Sequence, residues 1–280
     1  MVKDYQTILF PYAYNILGAV EDAKDAIQDV LYNYLAASRE HIDNEKNYLI
    51  KSVINQALNI KQKKKKVQLG DVWLPEPVAT EGADTNIHLH DIASYSMLVL
   101  LEQLNPKERA VFILKESFGY SHEEIAEVLS ITVEGSRKLL SRARTRLNES
   151  RQPATNRKKV PSEILNHFIH AIRSRDTAVL ENLLSRDVTF YADGGSKMSV
   201  VKKMAIGLQE VAALLLYVYE KYDSGFTVVP SAVNHQPALF YYNGTALVAC
   251  QVLSVSEEDG KIFQVSNVVD PDKLGSVSLQ

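Results

Sequence analysis

The sequence predicts a multidomain protein in which two all-α domains precede an α+β domain. Apolar residues recur at helical spacing through residues 4–66 and again through 93–149, which is the pattern of amphipathic helices. Beyond about residue 225 this pattern gives way to runs of β-branched and aromatic residues separated by turn residues, as in antiparallel strands. The length of 280 residues is sufficient for two or three domains.

Composition and cysteine content describe an ordinary globular chain. It is 46% hydrophobic and 23% charged, as is usual for folded soluble proteins. The single cysteine, Cys250, allows no disulfide framework and no cysteine-based metal site, which favours a reducing compartment. The N-terminus lacks the pattern of a signal peptide, and no long uncharged apolar span follows it. We therefore expect a cytoplasmic protein with no membrane segment and no metal or other cofactor.

The net charge of −3 conceals two basic blocks. The first lies in residues 61–66, and the second extends from Arg137 to Arg151. One such block is usually a solvated helix face. Two blocks, each ending a helical pattern, make local charge a better guide to the partner than the mean charge. They favour nucleic acid as a partner.

Three helices are expected in residues 4–66, the third beginning near Asp43 and continuing into the lysines. A linker follows at 67–92 and holds the only tryptophan. Trp73 stands beside Leu74, and Pro75 and Pro77 follow with Glu76 between them. Each proline fixes its own φ and biases the preceding residue toward an extended form. The segment is therefore predicted to be a stiff peptide that presents two apolar side chains to a partner surface.

Residues 105–149 carry the signals of a helix-turn-helix. Asn105 with Glu108, and Ser121 with Glu124, form two predicted capping boxes. A short turn at 130–132 separates a short helix from a long one. The long helix has an apolar face and an opposite, arginine-rich face. Since arginine and lysine pair with guanine edges and phosphates, DNA contacts are predicted for Glu134, Arg137, Lys138, Ser141, Arg142 and Arg144. The alternative is a basic surface helix of a bundle.

The C-terminal part predicts helices packed on a curved antiparallel sheet. Residues 162–176, 177–185 and 201–222 have helical patterns, and four strand-like runs follow. Turn residues at 243–244 and 259–260 separate the last three runs, which indicates consecutive hairpins. This combination is typical of an α+β domain.

The first 150 residues resemble the group 4, or extracytoplasmic-function, bacterial sigma factors. YNILGAVEDAKDAIQDVLYNYL is similar to their region 2 helix pair, and KNYLIKSVINQALNIKQKK to the helix that follows. LEQLNPKERAVFILKESFGYSHEEIAEVLSITVEGSRKLLSRARTRL is similar to their region 4. The resemblance implies region 2 at 1–66, the linker at 67–92 and region 4 at 93–150.

The partners that this resemblance implies are bacterial core RNA polymerase and promoter DNA. Region 4 would read the −35 element with the residues named above. Region 2 would hold the −10 element between Ser38 and Asn55, where Tyr48, Lys51 and Asn55 are suitable residue types for single-stranded bases. The residues expected to bind polymerase are Asp22, Asp25, Gln28 and Asp29. Neither a separate anti-sigma factor nor a membrane is implied.

Three motifs extend the resemblance to the subgroup with a fused SnoaL-like domain of the cone-shaped NTF2-like fold, expected here at 160–280. They are WLPEP at 73–77, DGGSK at 193–197 and DPDKL at 270–274, and VNHQPALF also matches a family pattern. Ser196 replaces a family glycine, and Asp270 replaces an asparagine. In that subgroup the extension regulates the sigma factor by contacting the linker. The implied interdomain regulatory site comprises Trp73, Leu74, Pro75, Asp193, Gly194, Gly195, Lys197, Asp270, Pro271, Asp272, Lys273 and Leu274.

Two other classes of function stay open at this point. SnoaL-like folds include isomerases and cyclases, in which Asp193, His167, His170 or His235 would be the candidate general base. The cone is also a candidate site for a small-molecule ligand. Alternatively, the chain is a DNA-binding regulator that does not use core polymerase. The favoured interpretation is a non-enzymatic alternative sigma factor whose fused domain controls promoter-specific initiation by contacting the linker.

Overall fold

The computed structural model describes residues 2–36, 42, 44–65, 72–80, 89–149, 163–275 and 277. Ser38, Asp43, Lys66 and Arg151 of the sequence-based predictions lie outside these residues. The chain divides into two compact units. Unit 1 comprises residues 1–71, 82–93 and 98–151, and unit 2 comprises 72–81, 94–97 and 152–280. Residues 72–81 of the predicted linker therefore belong to the same unit as the C-terminal domain.

Unit 1 is helical and begins with three mutually packed helices: α1 (Val2–Leu17), α2 (Val20–Ala36) and α3 (Glu45–Lys65). Small and aliphatic side chains such as Ala13, Ala23 and Ala57 are fully buried between them. Close approach of the helices follows from these small residues, because ridges of one helix then fit grooves of the next.

The remaining helices of unit 1 follow a 3₁₀ turn at Leu89–Asp91. They are α4 (Tyr95–Leu101), α5 (Pro106–Glu116), α6 (His122–Leu129) and α7 (Val133–Glu149). Both predicted capping boxes are present, at Asn105 with Glu108 and at Ser121 with Glu124. Helix α6 ends at Ser130, whose φ of 51° is left-handed, so the chain turns sharply into α7. The predicted helix-turn-helix is confirmed. Unit 1 takes in all of α4 except its first three residues, which belong to unit 2.

Unit 2 places helices on a six-stranded mixed sheet. Its helices are α8 (Glu163–Ser174), α9 (Thr177–Leu183), α10 (Leu208–Val218), extended by a π turn at Tyr219–Asp223, and α11 (Pro271–Leu274). Its strands are β1 (Leu184–Asp193), β2 (Met204–Ile206), β3 (Thr227–Val233), β4 (Gln236–Asn243), β5 (Ala246–Val255) and β6 (Ile262–Val268). The strand order is β2-β1-β6-β5-β4-β3. Strands β3 to β6 form consecutive antiparallel hairpins, and β1 runs parallel to β6. The predicted fold class and hairpins are confirmed.

One helix prediction in unit 2 is wrong. Residues 201–222 were expected to form one helix, but Met204–Ile206 pair with β1 as an edge strand. Gly207 follows with a φ of 97°, a conformation that a helix does not accept. The helix therefore begins at Leu208. Strand pairing overrides the local helical pattern of residues 201–206.

The core of unit 2 lies between the sheet and helices α8 and α10. Phe168, Val211, Leu253 and Val265 are fully buried there. A narrow cleft remains at one end of this core, with a volume of about 10 Å³, which admits roughly one water molecule. The cleft is lined by Phe168, Ile169, Ile172, Arg173, Tyr219, Val228, Leu239 and Tyr241.

Candidate functional site

Asp193 and Lys273 hold one residue of the linker, Leu74, by its backbone. The Leu74 N–H donates to Asp193 Oδ2 at 2.7 Å, and Lys273 Nζ donates to the Leu74 carbonyl oxygen at 2.6 Å. Lys273 Nζ also donates to Asp193 Oδ2 at 2.6 Å. Both charged side chains are buried, with exposed fractions of 8% for Lys273 and 5% for Asp193. The two opposite charges thus satisfy each other and both polar groups of Leu74, as buried charges require.

Two glycines allow the turn that positions Asp193. This residue ends β1, and its Oδ1 accepts from Gly195 N at 2.8 Å. A Cβ on Gly194 would overlap the backbone carbonyl of Met198, and a Cβ on Gly195 would overlap the Asp270 carboxylate. Gly195 also has a φ of 60°, which side chains rarely adopt. The DGGSK motif therefore fixes the carboxylate at the end of its strand.

Lys273 is positioned by the second motif, DPDKL. Asp270 caps the short helix α11 by accepting from Asp272 N at 3.1 Å, and Pro271 stands at its first position, where proline is favoured. The Lys273 ammonium lies 4.3 Å from the centre of the Trp73 ring, within the range of a cation–π contact. Because one lysine touches both Trp73 and Leu74, it recognises the start of WLPEP directly.

A second part of the linker extends the sheet at the end of β3. Thr80 N donates to Ala232 O at 2.8 Å, and Asn234 N donates to Val78 O at 2.9 Å. The Asn234 side chain completes the pairing by accepting from Val78 N at 3.0 Å. An extended segment that pairs with the edge of a sheet in this way gains main-chain hydrogen bonds to the sheet. We call residues 78–80 the edge segment.

Gln236 provides a third contact, with the start of α4. Its Oε1 accepts from Ser96 N at 2.7 Å, and its Nε2 donates to Ser96 Oγ at 3.0 Å. The Tyr95 hydroxyl reaches back to Pro75 O at 2.7 Å. Asn234 and Gln236 are buried, at 0% and 5% exposure, and sequence reasoning left both out of the site. The sequence signal for these two residues was the VNHQPALF segment, which resembles a pattern of the SnoaL-fused subgroup.

The other predicted members of the regulatory site lie partly at the surface and partly in the interior. Lys197 and Asp272 form an exposed ion pair with each other at 2.6 Å. Pro271 is exposed, whereas Leu274 and Asp270 are buried. The structure thus brings Asp193 and Lys273 to the linker backbone and Trp73, while Lys197 and Asp272 meet each other.

All six residues predicted to contact the −35 element are exposed on α7. Four of them take part in ion pairs: Arg137 with Glu123 at 3.7 Å, Lys138 with Glu134 at 2.6 Å and Arg144 with Glu116 at 2.6 Å. Exposed pairs of this kind contribute little stability. The arginine and lysine side chains can therefore exchange these carboxylates for phosphates or base edges at small cost.

The residues predicted to bind the −10 element lie on α3, and two of them contact α6. Asn55 Nδ2 donates to Val128 O at 3.1 Å, and Lys51 Nζ lies 3.8 Å from Glu127 Oε1. Tyr48 is exposed, and its ring centre lies 6.0 Å from that of Tyr34.

Among the residues predicted to bind polymerase on α2, Asp25, Gln28 and Asp29 are exposed. Asp22 pairs with Lys64 at 2.6 Å, and Asp29 accepts from Gln56 at 3.0 Å. Both partners lie on α3, so these two carboxylates are held within the three-helix group.

Comparisons with known proteins agree with this architecture. A model of sigma-70 region 4 matches residues 95–147. The ECF RNA polymerase sigma factor SigJ of Mycobacterium tuberculosis (strain H37Rv) is 26% identical, over 95% of this chain and 89% of the relative. The probable ECF sigma factor SigI of Mycobacterium tuberculosis (strain CDC 1551) is also 26% identical, over 97% of this chain and 93% of the relative. The chain is a homologue of the extracytoplasmic-function sigma factors.

A solved structure shares the fold of this sigma factor homologue over its whole length. The crystal structure of Mycobacterium tuberculosis SigJ matches it with a TM-score of 0.79 and 24% identity, covering 99% of this chain and 98% of the other. The helical part followed by an α+β domain is therefore an architecture found in a solved sigma factor.

The candidate catalytic residues of the sigma factor homologue do not converge. His167 and His170 are exposed on α8, and His235 lies in the β3–β4 turn with its N–H bonded to Thr80 Oγ1. Asp193 is occupied by Leu74, Gly195 and Lys273. Among the described residues, no helix is long and apolar enough to cross a membrane.

Proposed function

We propose that this chain is an alternative sigma factor whose C-terminal domain regulates promoter-specific initiation by holding the linker. The observation that carries the proposal is the buried Asp193–Lys273 pair around the Leu74 backbone. The relatives support the sigma factor part, since their names identify them as ECF RNA polymerase sigma factors. Core polymerase would supply the chemistry, and this chain would supply promoter choice in the cytoplasm.

The division of labour follows the domains. Region 2 (1–66) would bind core polymerase through the exposed face of α2 and hold −10 bases with Tyr48, Lys51 and Asn55. Region 4 (93–150) would read the −35 element with the basic face of α7, whose exposed arginines suit major-groove contacts. The SnoaL-like domain (160–280) would act on the linker between them.

The linker is suited to a reversible contact. Its prolines pre-order the segment, so docking costs little conformational entropy. Trp73 supplies the aromatic anchor that is common at the centre of interfaces, and the edge segment adds two main-chain hydrogen bonds. Polymerase or DNA would shift the balance only by binding the undocked form more tightly.

The experiment is run-off transcription with bacterial core polymerase and a promoter library, using the full chain. Promoter-specific transcripts are expected, and Arg137→Ala with Lys138→Ala should reduce them at least tenfold without loss of core binding. A chain that binds promoter DNA but not core polymerase would instead support the DNA-binding regulator.

A small-molecule ligand in the C-terminal domain is a second, separate proposal. Burial raises the pKa of the Asp223 carboxyl to about 6. Asp223 also interacts electrostatically with the Tyr241 hydroxyl, and Tyr241 lines the cleft. A carboxylate beside an aromatic-lined cleft suits a cationic or hydrogen-bonding ligand. Because the cleft admits about one water, binding would require it to widen. A screen for ligands that raise the melting temperature of the full chain, with Asp223→Asn as control, tests this proposal.

A further inference from the structure

The C-terminal domain holds the linker through the main chain of the linker. Asp193 and Lys273 bond both polar main-chain groups of Leu74, at 2.7 and 2.6 Å. Asn234 bonds both polar main-chain groups of Val78, at 3.0 and 2.9 Å. Main-chain groups are the same in every peptide, so these four bonds do not require that the bound segment belong to this chain. We call Asp193, Ala232, Asn234 and Lys273, all in unit 2, the linker site.

Side chains of the linker add a preference for one kind of peptide. The Lys273 ammonium lies 4.3 Å from the centre of the Trp73 ring. Leu74 and Val78 are buried, with 1% and 5% exposure, whereas Glu76 is half-buried. The two prolines of the segment hold the chain extended. The linker site therefore suits an extended peptide in which an aromatic and an aliphatic residue precede a proline, and a second aliphatic residue comes four positions after the first.

The linker site is positioned by the C-terminal domain itself. Asp193 O accepts from Val269 N at 2.8 Å, and the Asp193 carboxylate accepts from Gly195 N at 2.8 Å. Lys273 lies on α11, which Asp270 caps, and it donates to the Asp193 carboxylate at 2.6 Å. None of these bonds involves the linker. The site is therefore expected to keep its shape when the linker leaves, and a preorganised site binds a peptide at a low entropic cost.

The linker is a replaceable occupant of this site. Of its described residues, Thr80 is the last to pair with β3, and its N–H donates to Ala232 O at 2.8 Å. Alternate residues of a strand face the same edge, so the next β3 residue on this edge is Pro230, which has no N–H to donate. The advantage of the linker is its tether, which is equivalent to an effective concentration on the order of 1 mM. A peptide that binds the site about 100-fold more tightly than the linker segment would displace it at about 10 µM.

We propose that the linker site is also a receptor for a peptide from another polypeptide: an extended segment with this aromatic–aliphatic–proline pattern takes the place of residues 72–80 and releases the linker. A second copy of this chain is the weaker occupant, because its linker makes the same contacts and is already tethered to a site of its own. The inference deepens the proposed function by naming the class of ligand that changes linker docking, and it rests on that function for the effect on transcription. The peptide shifts the chain toward the undocked form because it binds that form alone.

The test uses the full chain and a fluorescein-labelled peptide with the sequence of residues 72–80, VWLPEPVAT. Fluorescence anisotropy measures the affinity of the chain for this peptide. In the unchanged chain the tethered linker competes with the peptide. The double substitution Trp73→Ala with Leu74→Ala, which we call the linker variant, weakens this competitor. The peptide should therefore bind the linker variant at least tenfold more tightly than the unchanged chain.

Two lysine substitutions show whether the peptide occupies the linker site. Adding Lys273→Met to the linker variant should weaken binding at least tenfold, because this lysine donates to the leucine carbonyl oxygen and contacts the tryptophan ring. Adding Lys197→Met should change the affinity less than twofold, since Lys197 pairs with Asp272 at the surface. Circular dichroism confirms that each variant remains folded.

Two modified peptides test main-chain recognition without any change in the protein. N-methylation at the position of Leu74 removes the N–H that donates to Asp193, and it should weaken binding at least tenfold. N-methylation at the position of Ala79 is the matched control. Ala79 lies opposite Val233, and the pairing bonds are made by the residues on either side of it. This methyl group should therefore change the affinity less than twofold.

Equal binding of the two methylated peptides would overturn the proposal, as would equal binding by the unchanged chain and the linker variant. A dimer of the unchanged chain that the peptide dissociates, seen by sedimentation velocity, would also overturn it, because the occupant would then be a second copy. Run-off transcription is scored separately. A peptide that binds as expected to a chain that never initiates with core polymerase would retain the peptide site and refute the proposed function. Transcription that responds to Lys273→Met in a chain that binds no peptide would support the proposed function and refute the peptide site.

Discussion

Lys273 Nζ lies 2.6 Å from Asp193 Oδ2 and 2.6 Å from the carbonyl oxygen of Leu74, so a buried ion pair closes around the linker backbone. The pair joins the end of β1 to α11, two elements 80 residues apart in the chain. Neither side chain alone could be buried in charged form at this place. Linker docking and the folding of these two motifs are therefore coupled.

Replacing Asp193 by asparagine tests this coupling. Asp193→Asn leaves the Lys273 ammonium buried without its counter-ion, and we expect the free energy of unfolding to fall by about 3 kcal/mol. Denaturant unfolding of the full chain provides the measurement. Lys197→Met removes one member of the exposed Lys197–Asp272 pair and should change stability by less than about 0.5 kcal/mol. Equal losses of unfolding free energy in the two variants would show that the buried Asp193–Lys273 pair stabilises the fold no more than the exposed Lys197–Asp272 pair does.

A pair of glycine variants separates backbone strain from steric overlap. Gly195 and Gly244 both have a φ of 60°, but only a Cβ at Gly195 meets a neighbour, the Asp270 carboxylate. Gly244→Ala should cost about 1 kcal/mol from the left-handed backbone alone, and Gly195→Ala at least about twice as much because the carboxylate must also move. Thermal unfolding of both variants gives the comparison. A smaller loss at Gly195 would mean that the DGGSK turn tolerates a side chain.

His235 is expected to be a site where substitution stabilises the protein. It has a φ of 62°, next to Asn234 at 48°, in the two-residue turn between β3 and β4. Such turns favour Asn-Gly, because glycine adopts positive φ without strain. His235→Gly should therefore raise the free energy of unfolding by about 0.5–1 kcal/mol. A loss of stability would indicate that the imidazole itself holds the edge segment.

The Glu102 carboxylate, which accepts hydrogen bonds from Lys61 and Arg109, should contribute less to stability in acid. Burial raises the pKa of the Glu102 carboxyl, but Arg109 and Lys61 outweigh burial and hold this pKa below its ordinary value of 4.5. A carboxyl with a lowered folded-state pKa contributes full stability above 4.5 and loses that contribution as the pH falls through the folded-state value. The stability difference between the unchanged chain and Glu102→Gln should thus be constant above pH 5 and shrink below about pH 4. A difference that grew in acid would contradict this assignment.

The local signals in the sequence predicted much of the fold. Capping residues fixed the starts of α5 and α6, and turn glycines separated the strands from β4 to β6. The contact of Trp73 and Leu74 with the C-terminal domain was implied by the resemblance to the SnoaL-fused subgroup, with which the stiffness of WLPEP agrees, and both residues lie against Lys273 in the structure.

Long-range pairings could not be derived in the same way. Strand β2 exists only because β1 pairs with it, and its own residues have a helical pattern. Asn234 and Gln236 are short polar residues of a hairpin, and nothing local shows that their side chains reach Val78 and Ser96. The bond from Lys61 to Glu102 could not be predicted either, because Lys61 is one of several lysines in a basic run and its carboxylate partner is 41 residues away.

The most direct test of linker control compares Lys273→Met with Lys197→Met in run-off transcription by the full chain and core polymerase. Both variants remove a lysine that pairs with an aspartate at 2.6 Å, but only Lys273 holds the linker. The account predicts that Lys273→Met changes transcript yield or promoter choice at least fivefold at equal core binding, and that Lys197→Met leaves both unchanged. Unaltered transcription with Lys273→Met, in a chain whose Leu74 amide has become open to hydrogen exchange, would contradict control through the linker.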